Sequence, residues 1–230
     1  MRDRVLLSTC VVVITALAWA YLIHLVQYDK AMAAMGMTMD HPWTSADVYL
    51  NFAMWTVMMA GMMSASALPM LLLFAGTRRG SVPLFSLGYF AVWTGFSALA
   101  TLVQWALPHR SLDPRLAGVI LLAAGIYQLT PWKSRCLTHC RSPLGFLMTN
   151  WRDGNLGALR MGAGHGLYCL GCCWALMCML FAVGVMNLVW VAALAIFVLL
   201  EKVGPAGAMV GRVAGAAIAV RGLLLIAAIA

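Results

Sequence analysis

Of 230 residues, 63% are hydrophobic and only 10% are charged, with a mean hydropathy of +0.91. A water-soluble domain rarely carries so few charges, so the composition excludes one and leaves an integral membrane protein with room for about six or seven spans joined by short loops. The net charge of +8 belongs to cytoplasmic loop ends and not to a nucleic-acid surface, because no basic run interleaves with a polar domain.

The first apolar stretch covers residues 5–26 behind a charged start, Arg2 and Arg4. The segment "TALAWA" imitates a cleavage site, but the apolar run continues beyond it, so an uncleaved first span is expected. Residues 27–46 then form an outer loop rich in methionine, "KAMAAMGMTMDHPW". Met32, Met35, Met37 and Met39 precede Asp40 and His41. Neutral thioethers suit copper(I) outside a cell, where thiols oxidise. An interfacial segment lying on the bilayer is the alternative use.

The second stretch, 48–75, contains "MWTVMMAGMM". On a helix Met54, Met58 and Met62 form one stripe, with Met59 and Met63 on an adjacent one. Such stripes suit stepwise passage of a soft cation, and equally suit the filling of irregular gaps in a core. Pro69 is expected to kink this span. The third stretch, 82–107, carries no further ligand set. The fourth, 115–130, is short for a full crossing.

Between the fourth and fifth stretches stands "CLTHCR". Cys136, His139 and Cys140 are spaced i, i+3, i+4, so a short helix would present them on one side, as three ligands of a transient site or as part of an interfacial helix. The fifth stretch, 161–185, holds the densest group, "GHGLYCLGCCWALMCML". Cys169, Cys172 and Cys173 share one helical face, with His165 one turn before and Met177 one turn after. Thiols and imidazole choose copper(I) or zinc(II). A dithiol exchanging electrons, or small buried side chains, are the competing uses. Stretches six and seven, 187–203 and 210–229, bring Gly207, Gly211 and Gly215, whose spacing lets helix backbones approach, as does that of Gly162 and Gly166. Arg221 lies inside the last stretch, with Asp47 or Glu201 as conceivable partners.

Orientation follows from Lys and Arg. With a cytoplasmic N-terminus, eleven basic residues fall on the cytoplasmic side, Lys133 and Lys202 among them, against three outside. That asymmetry predicts the N-terminus in and the C-terminus out. No phosphate loop, dinucleotide glycine pattern or His-Glu-x-x-His motif is present, and no acid sits in mid-span, so neither a proton relay nor an ATP-driven pump is supported.

The segments "YQLTPWKSRCLTHCRSPLGF", "WRDGNLGALRMG", "HGLYCLGCCWALM" and "VMNLVW…LEK", together with "MWTVMMAGMM" and "GYFAVW", resemble an uncharacterised bacterial family described as predicted metal-binding integral membrane proteins. The resemblance runs from about residue 50 to 215. It implies a multi-pass protein of the bacterial inner membrane, with Cys136, His139, Cys140, His165, Cys169, Cys172 and Cys173 as suspected ligands. The Met-rich loop lies outside it.

Together these readings predict an all-α, polytopic helical membrane bundle of six to seven spans, a single domain over residues 1–230. Its expected function is to bind or move a soft transition metal, copper(I) before zinc. The expected surroundings are the lipid bilayer and a periplasmic or membrane metalloprotein, without nucleic acid. A thiol-disulfide or quinone-linked oxidoreductase, or an assembly subunit of a larger membrane complex, are the alternatives.

Overall fold

The computed structural model describes residues 2–35, 43–106 and 113–228. Among these residues every regular element is helical: α1 Arg2–Ala34, α2 Ser45–Arg78, α3 Val82–Ala106, α4 Pro114–Gln128, α5 Pro131–Arg141, α6 Pro143–Asn150, α7 Gly154–Val183, α8 Leu188–Val203 and α9 Gly207–Ala227. The starts obey local chemistry. Thr44 caps α2 through the Asp47 amide, and the Asp47 carboxylate accepts from the Thr44 amide, a capping box. Proline opens α4, α5 and α6, where its missing N–H costs nothing. Gly154, at φ +79°, turns the chain from α6 into α7.

Among the described residues, four helical stretches are long and apolar enough to cross a membrane: Arg4–Met32, Ser45–Ala106, Gly154–Val183 and Gly207–Ala227. The second is 62 residues long and folds back on itself. A single 3₁₀ turn at Arg79–Ser81 separates α2 from α3. Phe74 packs on Phe85 at 4.6 Å beside that turn, and Trp55 Nε1 donates to Gln104 Oε1 at 2.8 Å at the far end, so the two helices run antiparallel.

The remaining directions are set where small residues let backbones meet. A Cβ at Gly162 would stand 1.9 Å from the Phe85 carbonyl oxygen, and one at Gly166 would stand 3.0 Å from that of Tyr89. Both numbers rise together, so α3 and α7 are parallel. Gly118 meets Ile226, Gly125 meets Ala219, and Gly215 meets Gln128, so α4 and α9 are antiparallel. This close approach is what helices in lipid need, where the surroundings supply no hydrophobic drive. The core lies where α2, α3 and α7 face one another, and it contains Met54, Met58, Met59, Met62, Met63, Trp55, Phe74, Tyr89, Trp93, Met177 and Leu180.

Several expectations change. The interval between the fourth and fifth stretches is two helices, α5 and α6, and α7 begins at Gly154. The second span continues through Pro69 without a break. Lys133 and Lys202, counted among the loop charges, are both buried, because each meets a partner inside the fold. Glu201 pairs with Lys133 and not with Arg221, whose side chain is exposed.

Candidate functional site

The site is assembled from α7 outwards. Cys169, Cys172 and Cys173 fall on one face because their spacing matches the helical turn, and all three are buried. Sulfur on a buried helix has few donors or acceptors within reach, so two of the thiols turn back on the helix. Cys172 Sγ donates to the Cys169 carbonyl at 3.0 Å and Cys173 Sγ at 2.9 Å. Cys169 Sγ instead faces three other elements. Lys202 Nζ from the end of α8 donates to it at 2.8 Å. The Tyr89 hydroxyl of α3 lies 3.0 Å away. Cys140 of α5 stands close enough to Cys169 and Cys172 to interact electrostatically with both.

Lys202 completes the arrangement. Its ammonium also donates to Ser66 Oγ at 3.2 Å and lies 3.9 Å from Met63 Sδ, both on α2. A cation buried in an apolar interior needs compensating acceptors around it. Here those are a thiol sulfur, a thioether sulfur and a hydroxyl. These sulfur atoms therefore already surround a positive charge. Among the described residues, no group of three or more His, Cys, Asp and Glu side chains is gathered in metal-binding geometry. The Cys172 and Cys173 thiols are tied to a carbonyl, and an ammonium stands beside Cys169.

The other sequence-expected residues are placed as follows. Cys140 leaves its expected partners and joins the α7 thiols, which merges two sets read as separate. Hydrogen bonding to Cys169 and Cys172, and then burial, hold the Cys140 thiol well above the ordinary thiol range, so it is an S–H donor. Cys136 Sγ packs over Gly171, and burial also pushes its thiol up. His139 stacks on Tyr168 at 4.2 Å, and its Nδ1 lies 2.9 Å from the Arg135 carbonyl, which turns it away from the thiols. His165 is buried against Phe85, Phe146 and Tyr89, and its Nδ1 has no hydrogen-bond partner. It touches the cluster through the Tyr89 ring. Met54, Met58, Met62 and Met177 are buried in the core. The thioether beside the thiols is Met63, on the adjacent stripe. Met35 is exposed at the end of α1, whereas Met37, Met39 and His41 lie outside the described residues. All seven cysteines are free.

Sequence reasoning missed Lys202, Tyr89 and Met63. A signal for Lys202 was present in "LEK", a charged pair closing a 16-residue apolar helix, but loop charge explains such a pair equally well. Nothing in the sequence separates Met63 from its four neighbours.

Fold and site define an all-helical protein whose apolar helices enclose a cluster of soft sulfur donors around a cation. A family model described as PpoB2, copper chaperone, matches residues 52–225, more than half of the chain, and the protein belongs to that family. The match includes Met63, Tyr89, Cys140, the α7 thiols and Lys202, and leaves out the methionines of residues 32–39. No curated protein and no solved structure matches the chain.

Proposed function

We propose that the protein is a membrane-embedded copper(I) chaperone that holds one ion at the sulfur cluster of Cys140, Cys169, Cys172 and Met63. The observation that carries this reading is the cation held 2.8 Å from Cys169 Sγ with a thioether beside it. Thiolate and thioether are the ligands that favour copper(I), and two to four of them suffice. Membership in a copper chaperone family supports the same cargo.

The chain's own residues account for how such a charge is tolerated. A copper(I) ion bound by two thiolates carries one net negative charge. Left alone in an apolar interior, such a charge costs several kcal/mol, on the order of a buried unpaired ion. The Lys202 ammonium, drawn back from Cys169 toward Ser66, leaves the group neutral. Cys172 and Cys173 become available when they release the Cys169 carbonyl, and Cys140 brings a third thiol from outside α7. Met35 and its loop would capture the ion at the outer face.

The membrane topology belongs to the same proposal. The antiparallel and parallel relations of α2 with α3, α3 with α7, and α4 with α9 are those of a chain that crosses on α1, α2, α3, α4, α7, α8 and α9 in alternation. Two of these, α4 and α8, have 15 and 16 residues, and reach only about 22–24 Å at 1.5 Å per residue. The bilayer must thin beside them, or neighbours must shelter their ends. Exposed Leu6, Leu17, Val189 and Leu223 would face hydrocarbon. The host would be a bacterial inner membrane, with a cytoplasmic N-terminus and a periplasmic or membrane metalloprotein as recipient.

The test is an anaerobic copper(I) titration of the purified protein against a chromophoric copper(I) chelator, with zinc(II) run in parallel. The wild-type chain is expected to take up one copper(I), and the double variant Cys140→Ser, Cys169→Ser to take up none while keeping its helical circular dichroism. Copper uptake by the variant equal to that of the wild type would sink the proposal.

A further inference from the structure

A second polar centre lies on the other side of α8 from the thiols. Successive residues divide the two: Lys202 enters the sulfur cluster, while Glu201 turns toward α5 and α9. The Glu201 carboxylate accepts from Lys133 Nζ, which also donates to Gln128 Oε1 of α4. Glu201, Lys133 and Gln128 are all buried. Gly211 makes room for this carboxylate, since a Cβ there would stand 2.1 Å from its oxygen.

Beside this triad opens a cavity of about 340 Å³, lined by Gln128, Lys133, Arg141, Ser142, Glu201 and Arg212 among others. Its charge is unbalanced. Glu201 is the one carboxylate in the lining, and it is matched by Lys133. Arg141 donates to the carbonyls of Glu201 and Gly204, at 2.7 and 2.9 Å, and its charge meets no carboxylate among the described residues. Arg212 is exposed and has no hydrogen-bond or ion-pair partner among the described residues. The lining is thus left with two uncompensated positive charges.

A second observation points the same way. Gln128 is 4% exposed, yet its Nε2 has no hydrogen-bond partner. Leaving a buried amide donor unmade costs about 1–3 kcal/mol, and native folds rarely accept that without a use for it. The cavity therefore carries surplus positive charge, one of its lining residues keeps an unpaired N–H donor, and the one carboxylate in its lining is already engaged. The complementary ligand accepts hydrogen bonds from several directions and carries negative charge.

We infer that this cavity is a binding site for a phosphate group. The tetrahedral oxygens of phosphate match a guanidinium and an amide donor approaching from different helices. The volume admits the group together with part of what it is esterified to. The cavity lies where α4, α5, α8 and α9 end, at a membrane face rich in Lys and Arg, and basic hollows between helices at such a face take lipid headgroups. The phosphate can belong to an anionic phospholipid or be free in solution. This inference does not depend on copper.

The experiment follows thermal unfolding of the full chain in neutral detergent. Separate samples receive inorganic phosphate, short-chain phosphatidylglycerol, short-chain phosphatidylcholine, or sodium chloride at matched ionic strength. A ligand that binds only the folded chain raises its unfolding temperature. The expected result is stabilisation by phosphatidylglycerol or phosphate beyond that by chloride, with apparent affinity weakened about tenfold or more in Arg212→Gln, the loss of one charge-assisted contact. Gln128→Glu keeps the acceptor for Lys133 but replaces the free donor with a repelling carboxylate, and is expected to weaken binding likewise. Stabilisation by phosphatidylglycerol alone assigns a lipid headgroup, and stabilisation by both assigns the phosphate group itself. If neither exceeds chloride, or if Arg212→Gln binds as the wild type does, the inference is overturned.

Discussion

Lys202 has a role that no cysteine can take. Its ammonium is buried, and its neighbours are Cys169 Sγ, Ser66 Oγ and Met63 Sδ; among the described residues no carboxylate pairs with it. If it neutralises a copper-thiolate group, its charge must matter more than its shape. Lys202→Met keeps the stem and removes the charge, and Lys202→Arg keeps the charge. We expect Lys202→Met to weaken copper(I) binding by about tenfold or more, the scale of an uncompensated buried ion, and Lys202→Arg to restore much of it. Chelator competition at fixed pH reads both. If copper binds as tightly to Lys202→Met as to wild type, Lys202 is only a packing residue. The cysteines themselves were legible as a set, because a spacing of i, i+3, i+4 puts side chains on one face of any helix. Their division of labour was not. Which sulfur faces Lys202, and which two face a carbonyl, depends on what α2, α3, α5 and α8 bring to α7.

At the scale of elements, the cluster depends on how closely α3 and α7 approach. Tyr89 reaches Cys169 only because Gly162 and Gly166 let the α3 backbone lie against α7. Gly162→Ala would set a methyl 1.9 Å from the Phe85 carbonyl oxygen, and its nearest neighbours are all Phe85 backbone atoms, with no flexible side chain among them to yield. We expect it to destabilise the folded state by about 1–3 kcal/mol, the cost of overpacking a filled interior, and to weaken copper(I) binding as well. Gly95→Ala, also in α3, meets nothing within 4 Å and is expected to change stability by less than about 0.5 kcal/mol. Denaturant unfolding in detergent compares the two, and equal stability would mean that the close α3–α7 contact is not tight in solution. The glycine spacing in α7 and α9 was readable as a packing signal, since only small residues permit such approach. The partner was not readable: nothing in α9 alone says that Gly215 meets Gln128, or that Gly211 makes room for Glu201.

At the scale of the whole molecule, the proposed topology of seven alternating crossings with a cytoplasmic start would put Ala230 at the outer face. The loop charges argue for this orientation even with the buried Lys133 and Lys202 set aside, which leaves nine basic residues against three. A periplasmic reporter fused after Ala230 is expected to be active, and a cytoplasmic reporter at the same place silent. The opposite pattern would remove one crossing, with the 15-residue α4 the first candidate.

What the sequence by itself determined were the properties that one helix can express alone. Apolar composition set the helical class, because backbone in lipid must satisfy its own hydrogen bonds. Residue spacing set which thiols and methionines share a face. Soft-donor chemistry set copper ahead of zinc as the expected cargo. Only the tertiary structure decided what meets across helices. It joined Cys140 to Cys169, chose Met63 over Met58 and Met62, and turned His139 aside onto Tyr168. It also carried Lys133 and Lys202 from an apparent loop into the interior. The reason is physical: a charged residue at the end of an apolar run looks the same whether it ends in water or in a cluster of partners. The partners of Lys202 come from positions 33 to 139 residues away in the chain.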